Sequence, residues 1–166
     1  MTITDKTADA QSGTPGTLAS ETLASGTLAS QTLAFELDLQ HPPQKVWRAI
    51  TDPALLAKWL LPVVAGELGP DAAFVFQTQP YPGWDGSVQC RVLELKANEK
   101  LSSAWVVGDM EIDTVVTFTL TPTESGTRLS LVQSGFKPDQ KQASGGARYG
   151  WNMMGGKLVE LLATLP

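Results

Sequence analysis

Few side chains in this sequence could do covalent or acid–base chemistry, and they do not cluster. Cys90 is the only cysteine and His41 the only histidine, which excludes an internal disulfide and a Cys/His zinc site. His41 immediately precedes Pro42 and Pro43, where it reads as a solvated turn residue. No serine or cysteine nucleophile with a supporting acid can be placed beside it, as a triad would require. Asp109, Glu111 and Asp113 alternate and would share one side of an extended chain, an arrangement suited to a hard cation or, more plainly, to a sheet edge protected by charge. Asp85, in Trp84-Asp85-Gly86, reads as a turn residue. With no phosphate-binding loop, paired-carboxylate motif or nucleophile elbow, the sequence names no catalytic residue, no metal ligand and no cofactor.

The informative residues are apolar, with one polar intruder. Gln133 continues the strand face of Leu129 and Leu131, and a buried amide without partners costs about 1 to 3 kcal/mol. It can orient a polar group of a ligand or satisfy a backbone carbonyl in the wall, and the sequence leaves both open. Gly155 and Gly156 fall inside a helical pattern, each about 1 kcal/mol worse there than alanine, so they are expected to provide room for close packing or for a ligand. Met153 and Met154 beside them are adaptable side chains suited to an irregular pocket or to filling gaps in a core.

Positioning such residues requires a core, and 166 residues are enough to bury one in a single domain. A hydrophobic fraction of 42% and five tryptophans favour a globular interior. The net charge of -5 would repel phosphate backbones and anionic lipid, so neither nucleic acid nor a membrane is an expected partner. Residues 1 to 15 hold no apolar run of signal-peptide length, and no stretch of about 18 apolar residues occurs anywhere, which together fit a cytoplasmic location.

Thr17, Thr22, Thr27 and Thr32 each begin a Thr-Leu-Ala triplet, a repeat of period five. That period matches neither helix nor strand, so residues 1–31 are expected to form a flexible low-complexity tail and residues 32–166 the folded domain. An arm that orders on a partner is the alternative. Phe35 to Leu39 alternate as a strand, and Pro42 and Pro43 stop it. Val46, Trp47 and Ile50 then form one helical stripe, and Asp52-Pro53 caps a second short helix with Leu55, Leu56, Trp59 and Leu60 on its buried side. Alternating segments follow near 63–68, 73–78, 86–95, 101–107, 112–121 and 127–134, separated by turn residues, which predicts an antiparallel meander. A Gly-, Lys- and Gln-rich loop leads to a final helix predicted over 147–165. The class is therefore α+β: a curved antiparallel sheet wrapped on a long C-terminal helix, with two short helices after the first strand.

That order is the helix-grip (START-like, Bet v-like) order, and the residues resemble a family. Val46-Trp47-Arg48-Ala49-Ile50-Thr51-Asp52-Pro53, Lys58-Trp59, Gly126-Thr127-Arg128-Leu129 and Gly150-Trp151, in this order and spacing, are similar to SRPBCC proteins of the kind named after the activator of heat-shock protein 90 ATPase. The resemblance runs from about residue 32 onward and implies a cavity between sheet and long helix. It does not carry chaperone activity over, because the partner-binding half of the eukaryotic co-chaperone has no counterpart in a chain of this length.

Strand alternation then proposes the cavity wall. The inward rows are Phe74 and Phe76, Val88 and Cys90, Trp105, Val116 and Phe118, and Gln133. Trp59 and Trp84 flank them, and Tyr149, Trp151, Met154 and Leu158 face them from the final helix. The void is expected between that helix and Phe76, Trp105, Phe118 and Gln133. The leading expectation is intracellular binding of a small, largely apolar molecule. A cyclase- or hydratase-type enzyme using an Asp, Tyr149 or Gln133, or a co-chaperone-like interaction module, are the alternatives, and a homodimer is left open.

Overall fold

A computed structural model of the chain describes residues 3–5, 31–80 and 82–166. The strands are β1 (Ile3–Asp5), β2 (Gln31–Leu39), β3 (Val63–Gly66), β4 (Ala73–Gln77), β5 (Ser87–Lys96), β6 (Lys100–Val107), β7 (Ile112–Pro122) and β8 (Thr127–Phe136). The helices are α1 (Pro43–Thr51), α2 (Pro53–Trp59) and α3 (Lys141–Thr164). All strands join one antiparallel sheet in the order β1-β2-β8-β7-β6-β5-β4-β3. This is the helix-grip fold: the two short helices and α3 close over one face of the sheet, and the core lies between them.

Asp52 sets the corner between the short helices. Its backbone N–H donates to the Arg48 carbonyl and ends α1, while its carboxylate accepts from the Ala54 N–H at 2.9 Å and caps α2, with Pro53 at the first helical position. Val46, Ala49 and Ile50 are the buried stripe of α1, and Trp59 locks α2 onto it by donating from Nε1 to the Ala49 carbonyl at 2.8 Å.

The sheet's inner rows follow from alternation and register. Phe35 on β2 stands opposite Leu131 on β8, which stands opposite Phe118 on β7; Leu37, Leu129 and Leu120 make the next row, and Leu33, Gln133 and Val116 the row on the other side. The Gly-Thr-Arg-Leu opening of β8 has a separate reason for each residue. A side chain at Gly126 would run into the Leu39 carbonyl, and Thr127 Oγ1 donates to the His41 carbonyl at 2.7 Å. Arg128 pairs with Asp38 on the outer surface, and Leu129 enters the core.

Two expectations change. Residues 1–31 read as a tail, yet Ile3–Asp5 pairs with Phe35–Leu37 as an edge strand; the Thr-Leu-Ala repeat before residue 31 lies outside the described residues. The final helix begins at Lys141 rather than near 147 and runs through Gly145, Gly146 and Gly150. Glycine's poor helix propensity argues for a loop there, but Ser144 is buried and Ala143 and Ala147 pack on the core, so tertiary contact outweighs propensity. No helix among the described residues is long and apolar enough to cross a membrane.

Candidate functional site

The seam between α3 and the β2–β8–β7 side of the sheet holds a small void of about 20 Å³. Phe35 and Leu37 line it from β2, Leu129 and Leu131 from β8, Phe118 from β7 and Trp59 from α2; α3 contributes Trp151, Gly155 and Leu158. Such a space holds at most one water, and an apolar lining gives a water nothing to bond, so the void is dry. Of the two helix glycines, Gly155 is buried and lines the void, whereas Gly156 faces outward with nothing near its missing side chain.

Beside the void the aromatic rings run in a connected file. Phe74 meets Phe76 with ring centroids 5.3 Å apart, Phe76 meets Trp105 at 5.2 Å, Trp105 meets Trp151 at 5.4 Å, Trp151 meets Phe118 at 6.1 Å and Phe118 meets Trp59 at 6.3 Å. All five pairs are edge-on or tilted rather than stacked face to face, as the ring quadrupole favours. The space expected between Phe76, Trp105, Phe118 and Gln133 is therefore filled by rings, and the void lies instead toward β2. Strand alternation states which residues face inward but not how far large rings reach across.

Gln133 is 6% exposed and both ends of its amide are paired. Its Oε1 accepts from Trp151 Nε1 at 2.7 Å, and its Nε2 donates to Thr114 Oγ1 at 3.0 Å. The Thr114 hydroxyl in turn donates to the Trp105 carbonyl at 3.0 Å. Helix α3 is thus tied to β8, β7 and β6 through one buried polar chain, a partner that neither open reading of Gln133 had identified.

The remaining expected wall residues divide by position. Phe74, Val88, Cys90 and Val116 are buried in the core, while Trp84, Trp105 and Met154 are partly buried against it. Trp84 donates from Nε1 to the Ser87 carbonyl at 2.8 Å and so braces the loop before β5. Tyr149 is 71% exposed and does not join the wall: two residues from Trp151, it lies about 200° around the helix from the buried stripe of Ser144, Trp151 and Leu158. Phe35 and Leu37 line the void although the sequence reading placed them only in a strand; their alternation marked them as inward, and only the β2–β8 pairing brings them beneath α3.

Among the described residues, none of the side chains lining the void is ionisable. Burial pushes the Cys90 thiol up to about 12, so it is a protonated, unreactive thiol at neutral pH. Partial burial and the nearby Lys45 hold the His41 imidazole below its ordinary value. Hydrogen bonds from Ser87 hold the exposed Asp85 carboxyl down. The backbone expected to run extended through Asp109, Glu111 and Asp113 does not, because Gly108–Met110 form a 3-10 turn and Glu111 follows in the left-handed region with φ of 54°. Among the described residues no group of three or more His, Cys, Asp or Glu is placed to hold a metal ion.

Residues 40–163 match the family described as activator of Hsp90 ATPase homolog 1-like protein. Among solved structures, a protein of Mesorhizobium loti is 38% identical with a TM-score of 0.75, the match covering 82% of this chain and 99% of that one. CalU16 of Micromonospora echinospora is 22% identical with a TM-score of 0.68, covering 81% of this chain and 78% of its own. DynU16, from the dynemicin biosynthetic locus, is 22% identical with a TM-score of 0.67, covering 80% of this chain and 47% of its own. The likeness to the last two is one of fold. No curated protein matches the chain significantly.

Proposed function

This chain belongs to the activator of Hsp90 ATPase homolog 1-like family, and from that premise we propose that it binds a small, largely apolar molecule in the seam between the sheet and α3. The observation that carries this reading is the composition of the seam: every side chain lining the void is apolar or aromatic, and the neighbouring polar groups of Gln133, Thr114 and Trp151 bond to one another. Such a surface gains free energy from excluding water around an apolar solute and asks for no charge in return. At about 20 Å³ the void admits no such solute as it stands, so binding requires α3 to give way. The enzyme alternative has no acid or base among the lining residues to work with. The interaction-module alternative is favoured by the filling of the space between Phe76 and Trp105, and it predicts that no apolar probe enters.

Fluorescence of anilinonaphthalene sulfonate separates the two. On our reading the dye brightens with saturable binding, and Phe118→Trp, which fills the seam, weakens that binding more than it weakens folding. Dye binding that is absent, or equal in parent and variant, refutes the seam as the site.

A further inference from the structure

The polar chain beside the void bears on which apolar molecules the seam accepts. The sheet ladder fixes the backbones that carry the linings from β2, β7 and β8, and Trp59 is tied through its Nε1 to the Ala49 carbonyl. Trp151 is held by ring packing and by one hydrogen bond to Gln133 Oε1 at 2.7 Å. It stands in the part of α3 with the poorest intrinsic helix propensity, with Gly145, Gly146 and Gly150 before it and Gly155 one turn beyond. A solute larger than the void therefore makes room most readily by displacing the Trp151 ring. Displacement takes the indole N–H away from Gln133 Oε1, while Gln133 Nε2 keeps its bond to Thr114. The oxygen is then buried and facing the space that the ring has left.

Resting on the apolar-ligand reading above, we infer that the seam selects apolar molecules carrying one N–H or O–H donor, which takes the place of the Trp151 indole on Gln133 Oε1. A ring with such a donor restores the bond, whereas the same ring without one leaves a buried acceptor unpaired, which weakens binding by about tenfold. Gln133 is on this account a specificity-determining residue.

Indole and benzothiophene have nearly the same shape, and only indole has the N–H. Each is titrated into the full chain and followed by nuclear magnetic resonance through the Trp151 indole N–H signal, assigned by its loss in Trp151→Phe. The expected result is that indole binds about tenfold or more tightly than the more hydrophobic benzothiophene. The Trp151 signal should move as its bond breaks, and in Gln133→Leu the preference should vanish. Equal affinities in the parent protein, or a Trp151 signal unmoved at saturation, overturn the inference while apolar binding stands. If neither compound binds, the apolar-ligand reading falls with it. Should Gln133→Leu fail to fold, the comparison in the parent protein decides alone.

Discussion

An amide on a strand face of leucines is tolerable only if both its ends are paired, and Gln133 meets that condition by reaching across to a helix and to a neighbouring strand. Trp151→Ala removes both the ring and the donor, so it should destabilise the fold by about 3 to 5 kcal/mol in chemical denaturation; a midpoint equal to the parent's would show that the ring does not close the core. A different side chain couples the core to pH. The folded Cys90 thiol is pushed up to about 12 by burial, whereas in the unfolded chain it titrates at its ordinary value of 9.0. Above that lower value the unfolded chain releases a proton that the folded protein retains, so stability falls as pH rises, by up to about 1.4 kcal/mol per unit, until the folded value is reached. Cys90→Ala should flatten this alkaline decline in urea titrations, and parallel profiles for parent and variant would contradict it. The burial of Gln133, Cys90 and Trp151 was legible in alternation and helical spacing. The bond between Gln133 and Trp151 was not, because periodicity assigns a face to each residue without saying what stands opposite.

Helix α3 shows where local preference and packing part. Gly145 and Gly146 made residues 141–146 look like a loop, and only the core contacts of Ala143 and the buried Ser144 reveal a helix there. Asp52-Pro53 is the opposite case: a capping carboxylate and a proline at the first helical position act locally, so the corner between α1 and α2 could be read directly from the residues. The glycine-rich half of α3 also gives the binding proposal an element to act through. A side chain at Gly146 meets nothing nearby, so Gly146→Ala should stabilise the protein by roughly 0.5 to 1 kcal/mol through helix propensity. If α3 must yield to admit a solute, the same substitution should weaken probe binding or slow its onset. Unchanged binding in a measurably more stable variant would mean that the helix does not take part in opening.

Across the whole molecule, the order of elements was legible because each rests on local patterning: alternation for the strands, stripes and caps for the helices, and turn residues between them. The edge strand Ile3–Asp5 was not, since three residues carry too little pattern to stand out and owe their conformation to pairing with β2. Nor was the void, which is the small remainder between large packed volumes and depends on how far Trp105, Trp151 and Phe118 extend. In the function we propose, that remainder is the closed form of a binding site. This central claim is tested most directly by following the methyl signals of Leu37, Leu129, Leu131 and Leu158 as indole is added to the full chain. Saturable shifts in these four, with the exposed Val64 and Leu93 unmoved, are the predicted result. Shifts confined to surface methyls, or none at indole's solubility limit, would contradict it.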